Sequence, residues 1–123
     1  MQITALRTAR VEIPIDPPLK TSIHEIRSVG CVLVFLDTDE GLTGEGYSFT
    51  LSGERLDVIE ALVRSLEKLV VGQDPHDVEA IWRAMWNDIH FVGRAGLTIF
   101  AMTGIDTACW DLVGKAAGKP LYK

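Results

Sequence analysis

The chain is poor in the features that assign a protein to a class at sight. Only two cysteines occur among its 123 residues, Cys31 and Cys109, and each lies in an apolar stretch where an unpaired thiol behaves as a small buried hydrophobe. No structural disulfide is expected. Basic residues are in the minority, 12 Lys and Arg against 17 Asp and Glu, giving a net charge of -5. Phosphate backbones require clustered cations, and Lys119 and Lys123 are scattered, so nucleic acid is excluded as a partner. No apolar run reaches the ~18 residues of a membrane span, and MQITALRTAR lacks the apolar centre of a signal peptide. The expectation is a soluble cytoplasmic protein with no membrane partner.

Motifs of chemistry are lacking as well. The glycines of GLTGEGY lie in a hairpin and strand, not between a strand and a helix start, so they make no dinucleotide fingerprint. GKAAGKP is one residue short of a phosphate loop and has Pro120 where Ser or Thr should stand. Asp37, Asp39 and Glu40 resemble the opening of a calcium loop, but Gly41 falls one position early and Ser48 occupies the place of the closing Glu. They read as a solvated turn. His24, His76 and His90 have no zinc-ligand spacing, and Ser22 next to His24 lacks the carboxylate a triad needs. Asp106 and Asp111, five residues apart on a helix, point to different sides and read as interface or capping groups. No catalytic residue and no metal ligand is assigned in this chain.

What remains is an apolar content of 47%, enough for the core of one domain. Near-alternation from Ile3 to Ile13 predicts a half-buried strand ended by Pro14, and IDPPLKTSIHEI, with Pro17 and Pro18, predicts an irregular loop. SVGCVLVFLD is almost unbroken apolar sequence and predicts a strand buried on both faces. DTDEG turns it into LTGEGYSF, completing a three-stranded antiparallel meander.

After Gly53 the period becomes helical. Ile59, Leu62, Val63, Leu66 and Val70 share a face closed by Gly72. Asp74 as cap and Pro75 at the first position start a second helix with Val78, Ile81, Trp82, Met85 and Ile89 inward. A third helix from about Leu97 to Ala117 turns Ile105, Ala108, Cys109, Leu112 and Val113 inward, and Gly104 within it predicts a close backbone contact. Three strands followed by three helices give the α+β class. Three helices cannot cover both faces of the sheet, so a further partner is expected, and an isolated domain would self-associate. A homo-oligomer is expected.

LRTARVEIPIDPPLKTSI, the hairpin ending GEGYSF, and above all GIDTACWDLVGKAAGKPLYK resemble the N-terminal capping domain of the mandelate racemase and muconate-lactonizing branch of the enolase superfamily. The likeness spans residues 1–123, with the (β/α) barrel catalytic domain expected after Lys123 and absent here. The resemblance implies a magnesium ion and a Lys or His base, both carried by the barrel. It implies a reaction that removes the proton α to the carboxylate of a hydroxy acid or sugar acid, in a racemase, epimerase or dehydratase. It also implies that two cap loops, after Pro14 and after Gly46, close over the small carboxylate substrate. Leu19, Ile23 and Ile26 of the first, and Tyr47, Phe49 and Leu51 of the second, match positions facing the substrate's distal group. His24 and Lys20 add polar options suited to an acid sugar. The fragment alone is expected to be inactive. The rival reading is a free-standing α+β dimerisation or ligand-binding module.

Overall fold

The computed structural model describes all of residues 1–123. Its elements are β1 (Ile3–Lys20), β2 (Glu25–Thr38), β3 (Thr43–Leu51), α1 (Leu56–Ser65), α2 (Glu67–Val70), α3 (Val78–Asp88) and α4 (Leu97–Ala116). The strands form one antiparallel sheet in the order β1-β2-β3, so the α+β meander expected from the sequence is what forms.

The first strand departs from expectation. It does not stop at Pro14 but runs on to Lys20, with a register shift between Pro14 and Leu19 after which Leu19 pairs with Ile26. The predicted irregular loop is therefore largely hairpin. An edge strand tolerates this because a proline can sit where its missing N–H would have pointed away from the neighbouring strand. The tip is the tight turn Thr21–His24, where the Thr21 amide donates to the His24 carbonyl at 2.8 Å and the His24 amide to Thr21 Oγ1 at 2.9 Å.

Period-two alternation divides the sheet into two unlike faces. Leu6, Val32, Val34 and Leu36 point toward the helices and are buried with Ile59, Val63, Met85, Met102, Ile105 and Leu112 in one core. Each such fully buried aliphatic side chain contributes about 1.5–3 kcal/mol. On β3 the same face presents Gly44, Gly46 and Ser48, over which α4 lies so closely that a methyl group on Gly44 or Gly46 would collide with the α4 backbone. Ser48 Oγ donates to the Phe100 carbonyl. Gly104 meets this strand from the other side, as its place in a helix suggested.

No element of the chain covers the opposite face. Its cross-strand rows are Ile13/Val29/Leu51, Val11/Cys31/Phe49, Ala9/Leu33/Tyr47 and Arg7/Phe35/Glu45. Within the chain β2 is thus covered on one face only, as expected if the helices lie on one side of the sheet.

The helices differ from expectation in detail. The first is broken at Leu66 into α1 and α2, although Ile59, Val63, Leu66 and Val70 are all buried as predicted. α3 starts at Val78, not Pro75: Asp74 Oδ1 accepts from the His76 amide at 2.9 Å, forming a turn ahead of the helix in place of a cap. Trp82, expected inside, is 39% exposed and stacks on Trp86 with ring centres 5.0 Å apart. Cys31 and Cys109 are free and buried, and burial, reinforced by the negative charge of Asp106, pushes the Cys109 thiol up to about 12. No helix is long and apolar enough to cross a membrane.

Candidate functional site at the hairpin end of the sheet

Antiparallel order brings the β1–β2 tip and the turn after β3 to the same end of the sheet. That turn, Ser52–Arg55, carries three left-handed residues: Ser52 (φ 60°), Gly53 (φ 63°) and Arg55 (φ 63°). Glycine adopts this conformation freely, whereas Ser52 and Arg55 hold it at a cost of order 1–3 kcal/mol each, a pattern concentrated at functional turns. A side chain at Gly53 would also have to displace the Glu12 carboxylate, which packs over the turn. Ser28 donates to that carboxylate at 2.6 Å, so the turn is braced by both β1 and β2.

Between tip and turn lies an open concavity of about 520 Å³, bordered by His24, Ile26, Phe49, Leu51, Arg55 and Phe100 among others. Ile26 forms its floor and is only 6% exposed, so of the expected residues it is the one packed into the protein. Leu19 (57% exposed) and Ile23 (80%) project from the tip into solvent. The structure thus gathers Ile26, Phe49 and Leu51 around one hollow, with Leu19 paired to Ile26 at its rim.

The second expected loop does not begin after Gly46. Residues 47–51 continue β3, and Tyr47 and Phe49 alternate with inward Ser48, which puts their side chains on the uncovered face. Tyr47 stands two rows from Leu51, about 14 Å along the strand. The loop proper is Ser52–Arg55. Sequence reading missed Arg55 and Phe100: only the backbone reveals the strain at Arg55, and Phe100 lies far along the chain on the first turn of α4. Arg55 Nη1 pairs with Glu54 at 2.7 Å, leaving a guanidinium at the rim.

Nothing here can assemble a metal centre, since no group of three or more His, Cys, Asp or Glu converges anywhere in the chain. Asp111 acts on the sheet edge instead. Its Oδ2 accepts the outward Glu45 amide at 2.9 Å and pairs with Lys115 at 2.7 Å, and Lys115 also donates to the Thr43 carbonyl. This pair blocks the edge of β3.

Comparison with known proteins agrees with this architecture. The profile described as mandelate racemase / muconate lactonizing enzyme, N-terminal domain, matches residues 3–123. The chain is 32% identical over 122 residues to 3,6-anhydro-alpha-L-galactonate cycloisomerase of Streptomyces coelicolor, covering 98% of this chain and 34% of the relative. It is 35% identical over 118 residues to D-galactarolactone cycloisomerase of Agrobacterium fabrum, covering 96% of this chain and 30% of that one. In structure it matches a racemase from Streptomyces coelicolor A3(2) with bound magnesium, with a TM-score of 0.88 at 31% identity, over 94% of this chain and 32% of the racemase. The chain spans about a third of the length of these relatives. The match over residues 3–123, together with the shared fold, makes this chain an N-terminal domain of the mandelate racemase / muconate lactonizing enzyme family.

Proposed function

We propose that this chain is the substrate-specificity cap of a magnesium-dependent enzyme of the enolase superfamily. The reaction is removal of the proton α to the carboxylate of a hydroxy acid or sugar acid, leading to racemisation, epimerisation, elimination of water or ring closure. Magnesium and the base are assigned to a barrel domain of the same polypeptide, since the residues of this chain do not form a metal site. Two named relatives acting on sugar-acid derivatives, and a related racemase that binds magnesium, support this reading. So does the length of the relatives, which favours a cap over a free-standing module.

The cap's own contribution is steric and dielectric. Leu19 and Ile23 on the tip and Leu51 beside the strained turn offer apolar side chains that expel water as the barrel mouth closes, with Ile26 as the buried support beneath them. A dry mouth strengthens charge stabilisation at the reacting centre, and the shape of the apolar group selects the distal end of the substrate. Phe49 borders the same hollow, while Tyr47 stands farther along the strand on the open sheet face.

The observation that carries the reading is an 80% exposed Ile23 at a hairpin tip closed by its own turn hydrogen bonds. In the full-length enzyme, Ile23→Ala is expected to change the ratio of kcat/KM between a sugar acid and an apolar hydroxy acid by about 10-fold. Magnesium affinity is expected to stay constant. An unchanged ratio, or a loss of metal binding, overturns the lid assignment.

A further inference from the structure

One wall of the hollow comes from neither the hairpin tip nor the turn after β3. Phe100, on the first turn of α4, borders it together with Phe49 of β3. The same two rings border a smaller neighbouring cavity of about 190 Å³ with Tyr47, Ser48 and Thr103, so they form a ridge between the two. Both are half exposed, and they do not stack on each other, since the only stacked aromatic pair in the chain is Trp82 with Trp86. Their faces are available to a ligand.

Phe100 is also firmly placed. Its carbonyl accepts from Ser48 Oγ, its amide donates to the Gly96 carbonyl at 3.1 Å, and α4 rests directly against β3 at Gly44 and Gly46. A ring seated on a helix fixed to the sheet holds its position, whereas Leu19 and Ile23 project from a two-stranded tip.

The rim narrows the chemistry of what the rings meet. Its charged groups are Glu25, Glu54 and Arg55, with His24 beside them. Glu25 is held by Arg27 at 3.0 Å and Glu54 by Arg55 at 2.7 Å, so neither arginine is left unpaired to read a second carboxylate. The rim offers instead the hydroxyls of Thr50 and Ser52 and the His24 imidazole, groups that serve neutral hydrogen-bonding partners. An aromatic face carries the negative lobe of the ring quadrupole and attracts polarised C–H groups. Ring faces surrounded by hydroxyl-reading groups fit a neutral, hydroxylated carbon skeleton, with its C–H side on the rings and its O–H groups toward the rim.

We propose that Phe100 is a specificity-determining residue of the cap, holding the neutral, polyhydroxylated distal end of an aldonic acid against its ring. The proposal rests on the lid reading and deepens it, because it selects a sugar monoacid over a diacid or an apolar hydroxy acid. A contact to the distal end is made equally in the bound substrate and in the transition state. Its loss therefore raises KM and leaves kcat unchanged.

The test is steady-state kinetics of the full-length protein with magnesium and a panel of six-carbon aldonic acids, read on the one with the highest kcat/KM. Phe100→Leu keeps an apolar side chain and removes the ring; it is expected to raise KM about 5- to 10-fold with kcat and thermal midpoint unchanged. Phe100→Tyr keeps the ring and is expected to hold KM within about 2-fold of the parent. An unchanged KM in Phe100→Leu, an equal rise in Phe100→Tyr, or a fall in kcat or thermal midpoint that accompanies the change overturns the proposal. So does a parent protein that turns over none of the aldonic acids. The two readings fail separately: if Ile23→Ala shifts the substrate ratio while Phe100→Leu leaves KM alone, the lid stands and the aromatic wall falls, and if neither variant has an effect, both fall.

Discussion

Gly46 of β3 lies against Gly104 of α4 so closely that a methyl group on Gly46 would collide with the Gly104 carbonyl oxygen. The helix rests on the strand backbone itself at this point, which fixes the distance between the two layers that carry the Ser52–Arg55 turn and Phe100.

The two glycines are therefore not equivalent. Gly46→Ala is expected to destabilise the cap by about 1–3 kcal/mol through overpacking against rigid backbone. At Gly104 an added methyl would sit 3.0 Å from Ser48 Oγ and Val34 Cγ2, groups that can yield slightly. Gly104→Ala gains about 1 kcal/mol of helix propensity in return, so its net effect should stay near zero. Native-state hydrogen exchange of core amides in the full-length protein measures both, and equal losses would contradict the close contact.

Asp111 predicts a local effect. Asp111→Ala removes the acceptor of the Glu45 amide and the partner of Lys115, at a cost of about 1 kcal/mol. Exchange of the Glu45 amide should quicken while core amides in β2 stay protected. Asp111→Asn, which keeps an acceptor oxygen, should preserve most of the protection.

Asp37 predicts an acid limb. Its carboxyl is held down from 3.8 to about 2, chiefly by hydrogen bonds from Arg7 at 2.6 and 2.9 Å, with Thr43 adding a third. A depressed folded-state value means that the stabilisation is fully present above the unfolded value of 3.8 and is lost as pH falls toward 2. The pair is partly exposed, so its worth is at most about 1 kcal/mol. Asp37→Asn should flatten the stability profile of the cap between those two pH values, as read by denaturant midpoints across the acid range.

The core was readable from the sequence because periodicity and burial agree there: Ile59, Val63, Ile105, Ala108 and Leu112 all lie where a 3.6-residue period puts them. The expected contact at Gly104 followed from the same logic, since a helical glycine is expensive unless something needs the space. The hairpin end was harder to read. Pro14, Pro17 and Pro18 signal a break locally, and only pairing with Glu25 and Ile26, distant in kind from any local preference, keeps β1 extended. Tyr47 and Phe49 fall in the strand LTGEGYSF as expected, but no local signature separates an uncovered apolar strand face from a pocket wall. The strain at Ser52 and Arg55 has no sequence signature at all, because neither residue type favours a left-handed conformation.

The borders of the sheet carry one more implication. Beyond β1 the start of the strand is occupied by Gly72 and Gln73, which exchange backbone hydrogen bonds with Ile3, and its later part is studded with prolines; beyond β3, Asp111 and Lys115 plug the ladder. Lateral growth by adding strands is thus blunted on either flank. Unpaired strand edges are templates for pairing with another chain, so these plugs guard the domain against strand-by-strand aggregation.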